Sequence, residues 1–117
     1  MNSTEKGRRG ENTAAGYLEA HGYRIIQKNF KCRGGEVDIV AVRDDAVVFA
    51  EVKAWERMPF SEVERALGRR KQGRIRAAAQ EFIRRYPVFS MYRPGFELLF
   101  ITDGGCSVHH TRITVGG

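Results

Sequence analysis

Two short segments hold the side chains best suited to chemistry: Gly35-Glu36-Val37-Asp38 and Glu51-Val52-Lys53, three carboxylates and an ammonium set among apolar residues. If the two segments pair as an antiparallel hairpin across Arg43-Asp44-Asp45-Ala46, Asp38 faces Glu51 and Glu36 faces Lys53. Side chains alternate along a strand, so Glu36, Asp38, Glu51 and Lys53 then share one face, and Val37, Ile39, Val48, Ala50 and Val52 the other. Opposed carboxylates repel unless a cation stands between them or one of them is protonated. A hard divalent cation, Mg²⁺ or Mn²⁺, suits such oxygen donors and leaves positions open for water and phosphate. Lys53 would then orient an attacking water or stabilise charge at the phosphorus. The plainer alternative is a solvated sheet face, with Glu36 paired to Lys53 and Asp38 exposed.

The hairpin needs neighbours to hold it. A helix is predicted from Thr4 to His21, capped by Ser3 or Thr4 and stopped at Gly22, with Gly7, Gly10 and Gly16 weakening its start. Strands are expected over Tyr23–Phe30, Glu36–Val42 and Val47–Lys53. A loop follows from Ala54 to Phe60, and the Ser61/Glu64 pair fits a capping box opening a second helix. That helix should end at Tyr86, before Pro87, and divide at Gly68 and Gly73. A second hairpin, Phe96–Thr102 with Cys106–Val115, completes the order αβββαββ, an α/β domain spanning residues 1–117.

Helical spacing places Glu11 on the stripe of Ala14, Ala15 and Leu18, and Lys71 on that of Leu67, Ile75 and Ala78. Both stripes should face the sheet, aiming an ionisable group at its carboxylates, although either side chain alone could simply reach past the rim of the core. Twenty Lys+Arg against fourteen Asp+Glu give a formal charge of +6, which favours polyanions such as nucleic acid. Arg69, Arg70, Lys71, Arg74 and Arg76 would grip backbone phosphates. Two cysteines do not make a disulfide framework. The polar N-terminus and the lack of any apolar run near the ~20 residues that span a bilayer lead to the expectation of a cytoplasmic chain without leader or anchor.

Gly35-Glu36-Val37-Asp38 with Glu51-Val52-Lys53 resembles the core motif of the PD-(D/E)XK nuclease superfamily. Together with Gly10-Glu11, Asn29-Phe30 and Lys71, the pattern is similar to the YraN family of small bacterial proteins with a Holliday-junction-resolvase-like domain. The resemblance implies a restriction-endonuclease-like fold, a mixed central sheet flanked by helices. It also implies a metal-dependent endonuclease, with Asp38 and Glu51 as metal ligands, Lys53 as the catalytic lysine and Glu11 as a further ligand carboxylate. Glu36 and Lys71 belong to the same pattern. DNA is the favoured substrate over RNA, branched forms included, and resolvase-like relatives raise the expectation of a homodimer. The family pattern has Arg where Trp55 stands and Arg-Phe-Asp where Gly95-Phe96-Glu97 stands, which keeps open a non-catalytic nucleic-acid-binding module on the same fold.

Other candidates read as ordinary. His109 and His110 are adjacent on a strand and point to opposite faces. Cys32 has no second thiol beside it. Trp55, Met58 and Phe60 are candidates for stacking on unpaired bases or for packing the loop.

Overall fold

A computed structural model describes residues 3–54, 68–102 and 107–113. Trp55, Met58, Phe60, the Ser61/Glu64 capping box and Cys106 lie outside the described residues. The elements are α1 (Ser3–Ala20), β1 (Arg24–Cys32), β2 (Gly35–Arg43), β3 (Ala46–Ala54), α2 (Arg69–Arg85), a 3-10 turn (Pro87–Met91), β4 (Arg93–Thr102) and β5 (Ser107–Ile113). The order is the expected αβββαββ, and the five strands form one mixed sheet in the spatial order β1-β2-β3-β4-β5. Only β3 and β4 run parallel; β1–β2, β2–β3 and β4–β5 are antiparallel. A parallel pair requires a crossover, and α2 lies in it.

The helices cover opposite faces of the sheet. Ile75, Ala78, Ala79 and Phe82 of α2 pack on Phe30, Val37, Val40, Val42, Phe49, Leu98 and Phe100. Ala14, Ala15 and Leu18 of α1 pack on Ile39, Ala41, Val48, Ala50, Leu99 and Ile101. With both faces covered, β3 and β4 are apolar on both sides, which explains their unbroken runs of hydrophobic residues.

Two of the glycines in the predicted helices behave differently from the sequence expectation. Gly10 lies within a helix that runs unbroken from Ser3: a Cβ there would sit 2.9 Å from that of Ala54, so the glycine lets the helix lie directly on the end of β3. Gly73 lies inside α2 and does not divide it, whereas Gly68 is the N-cap. The helix ends at Arg85, one residue short of the expected Tyr86, and Pro87 opens a 3-10 turn. The β2–β3 turn is the tight one, Arg43 pairing with Ala46 and Asp44 left-handed at φ 53°. It is tied to β4 by Arg93, which bonds Asp45 through both its main-chain N–H (2.7 Å) and its guanidinium (3.0 Å).

Candidate functional site

The β2–β3 ladder has the expected register but stops at Ile39↔Ala50. Asp38–Glu51 and Glu36–Lys53 therefore fall beyond its end and are not ladder pairs. Alternation also slips once at this point. Ile39, Val48 and Ala50 face α1 with Val52 beside them, whereas Val37 joins Val40 and Val42 on the α2 side. The expected single apolar face of five residues is thus four, with Val37 turned over. Where the strands part, the Asp38 carboxylate takes the place of a main-chain acceptor: its Oδ2 receives the Val52 N–H at 2.7 Å.

Glu51 is buried, its side chain 6% exposed, on the face covered by α2, and its Oε1 pairs with Lys53 Nζ at 3.1 Å and Lys71 Nζ at 2.8 Å. Burial, followed by the neighbouring charge of Glu51, pushes the Asp38 carboxyl up to about 7, with Glu11 adding to the rise and the Val52 N–H and Lys53 opposing it. Burial lowers the Lys71 ammonium, but its bond to Glu51 and the charges of Glu51 and Asp38 outweigh that, and the net shift is upward. Lys71 is consequently a fixed positive charge at neutral pH and not a proton acceptor.

Five of the expected residues thus meet electrostatically at the open end of the β2–β3 pair: Glu11, Asp38, Glu51, Lys53 and Lys71. Glu36 does not join them. It stands opposite Lys31 of β1 and approaches Arg74 at 3.9 Å, both side chains about half exposed, so the alternative pairing of Glu36 with Lys53 is not formed. Arg70 and Arg74 are exposed on the first turns of α2, and Arg76 is half-buried. Arg69 begins the same helix.

The donor set has the chemistry of a hard-cation site, oxygen atoms only, around an acid kept from ionising by burial and by a like charge. A divalent ion would relieve that repulsion, so the residues fit Mg²⁺ or Mn²⁺. Among the described residues no three His, Cys, Asp or Glu side chains form a ready-made cage. Asp38, Glu51 and Glu11 are each held by a protein partner: Val52, the two lysines, and Asn29, whose Nδ2 donates to Glu11 Oε2 at 2.9 Å.

Sequence reasoning passed over two polar pairs. Asn29 belongs to the family-like pattern, but no bond to Glu11 could be assigned to it; its left-handed backbone, φ 55°, is the local signal that a short polar residue was needed there. His110 is not an ordinary strand histidine: its Nε2 pairs with Glu97, a buried carboxylate on β4, and its ring meets Tyr17 edge-on at 5.8 Å. Glu97 in an otherwise apolar run was the available clue. The side chain of His109 is outside the described residues.

The sequence profile of the uncharacterised protein family UPF0102 matches residues 10–101. The chain belongs to this family. Its relatives include UPF0102 proteins of Caldicellulosiruptor bescii, 42% identical over 71% of this chain and 70% of that one, and of Rhodopseudomonas palustris, 41% identical over 85% and 75%. That of Natranaerobius thermophilus is 32% identical over 96% of this chain and 98% of its own. The matched span encloses every site residue from Glu11 to Arg76, so the family assignment and the carboxylate cluster rest on the same part of the chain. YraN is another name for UPF0102, and the resemblance read from Gly35–Asp38 and Glu51–Lys53 is to that extent correct. No helix among the described residues is long and apolar enough to cross a membrane.

Proposed function

We propose that this UPF0102 protein is a metal-dependent endonuclease of the PD-(D/E)XK type, hydrolysing phosphodiesters of DNA in preference to RNA, branched DNA included. The observation that carries the reading is the meeting of Asp38 and Glu51 where β2 and β3 separate, with Asp38 pushed up to about 7 and two lysines on Glu51. Asp38, Glu51 and Glu11 would hold the cation. When bound, it supplies positive charge where negative charge develops on the phosphoryl oxygens.

The protein's own groups supply the rest. Lys53, about one-third exposed, stands at the mouth of the site and can orient a water toward phosphorus. Lys71, similarly exposed, adds a fixed charge from α2 on the same Glu51 oxygen. Arg70 and Arg74, exposed on the same helix as Lys71, suit the phosphates of a nucleic-acid backbone. Glu36 beside Arg74 would set that arginine's position at the rim and not serve as a ligand.

A second reading is favoured by one observation: Lys53 and Lys71 already neutralise Glu51 without any metal, as would suit a module that binds nucleic acid and cleaves nothing. The deciding experiment is a cleavage assay with Mg²⁺ and Mn²⁺ on duplex, single-stranded and branched DNA and on RNA, beside Asp38→Asn and Lys53→Met proteins. Cleavage lost in both variants, with salt-dependent binding retained, is expected. No cleavage of any substrate by the parent protein, with binding intact, would establish the binding module.

A further inference from the structure

The α1 helix is braced against the edge strand by two side-chain bonds on consecutive residues. Asn29 Nδ2 donates to Glu11 Oε2 at 2.9 Å, and Lys28 Nζ donates to Asn12 Oδ1 at 3.2 Å. On the other side of Glu11, Gly10 presses on Ala54 at the end of β3, with no room for a Cβ. Glu11 is therefore fixed from both flanks, between the edge strand and the last residue of β3.

Asn29 lies opposite the critical point of the sheet. Its neighbours pair as Lys28↔Ile39 and Phe30↔Val37, so it sits across from Asp38, where β2 leaves β3 and alternation slips. Its φ of 55° is a conformation that asparagine tolerates and β-branched residues do not. The kink turns a short amide donor toward α1. A carboxylate with one oxygen tied to an amide keeps a single orientation and still has lone pairs for a cation.

We infer that Asn29 is a positioning residue for the cation site, holding the Glu11 carboxylate toward Asp38 so that the site draws on three carboxylates and not two. This rests on the metal-site reading above. Glu11 lies within electrostatic reach of Asp38, and partners that orient metal ligands are worth about 10- to 100-fold in affinity.

The test is Mn²⁺ binding to the full chain, by calorimetry and by the electron paramagnetic resonance of the free ion, for the parent protein, Asn29→Gly, Glu11→Gln and the double variant. Glycine keeps the left-handed backbone and removes only the amide. Asn29→Gly is expected to weaken Mn²⁺ about 10-fold, and to add less than about 2-fold in the Glu11→Gln background, because Asn29 acts through Glu11. Should Asn29→Gly fail to fold, Asn29→Asp keeps the shape, withdraws the donor and sets a like charge against Glu11, and the change it makes in Mn²⁺ affinity is expected to shrink below about 2-fold in the Glu11→Gln background. Unchanged affinity in Asn29→Gly, or an equal loss with and without Glu11, would overturn the inference while leaving the metal site standing, provided Asp38→Asn abolishes binding. A parent protein that binds no Mn²⁺ would overturn both.

Discussion

The main-chain N–H of Val52 is received by the side chain of Asp38, at 2.7 Å, and not by the backbone of β2. One carboxylate thus does two jobs: it closes a gap in the sheet and stands next to Glu51 at the point where the ladder has ended.

That double duty gives the apoprotein a pH signature. Asp38 has an ordinary value of 3.8 and is pushed up to about 7 on folding. The folded state therefore binds the proton more tightly than the unfolded chain, and the resulting stabilisation is complete below pH 3.8 and lost as pH rises through about 7. Asp38→Asn, which still accepts from Val52, should flatten this dependence and raise the apoprotein's Tm at pH 8. Mg²⁺ should stabilise the parent at pH 8 and leave Asp38→Asn unaffected, as thermal denaturation with and without the ion will show.

Gly35 gives the second expectation. A Cβ on it would lie 1.9 Å from the main-chain oxygen of Arg74, so β2 and α2 touch backbone to backbone. Gly35→Ala must push α2 outward, at a cost on the order of 3 kcal/mol, and carry Lys71 away from Glu51. Urea denaturation will measure the first effect and loss of nucleic-acid binding the second.

Glu51 and Lys71 are not equivalent in the pair they make. Glu51 is buried and Lys71 about one-third exposed, so Lys71→Ala leaves a carboxylate still paired with Lys53, whereas Glu51→Ala removes the anion both lysines share. The expected losses are about 1 kcal/mol for Lys71→Ala and about 2 kcal/mol for Glu51→Ala, below the range for fully buried pairs because water reaches the ammonium groups. Denaturant midpoints of the two variants, taken at low and high salt, will rank them.

Glu97 and His110 lie on neighbouring strands away from the carboxylate cluster. His110→Ala would leave the Glu97 carboxylate buried without its partner, costing about 2 kcal/mol, and Glu97→Leu in the same chain should restore most of the loss. Failure of the double variant to recover would mean that the pair holds β5 in place by more than charge.

How much of this was legible in the sequence depends on distance along the chain. Strand positions, helix order and the β2–β3 register follow from periodicity and from the Asp44-Asp45 turn, all local signals. How deeply Asp38 and Glu51 are buried does not, because the cover over Glu51 comes from α2, which returns from beyond residue 68. The slip that turns Val37 over was equally hidden: nothing in Glu36-Val37-Asp38 announces that Asp38 will replace a backbone acceptor. Glycines misled in both directions. Gly10 read as a weak point of its helix and Gly73 as a breaker, while the sequence offered no sign that Gly10 and Gly35 mark places where an element lies directly on its neighbour.

The parallel pairing of β3 with β4 sets an order in time. The strands β1, β2 and β3 join through short turns, whereas β4 can pair only after the chain from Ala54 to Arg93 has crossed over, a slower closure. On that order Asp38 and Glu51 would meet in the local event and Lys71 would join them with the crossover. A three-stranded meander formed first would be an acidic half-site, short of half its cations, and the docking of α2 would be drawn by charge as well as by the burial of Ile75 and Phe82. Dilute salt should quicken that last step, so the same electrostatics that would serve a cation in the finished protein help decide when the protein is finished.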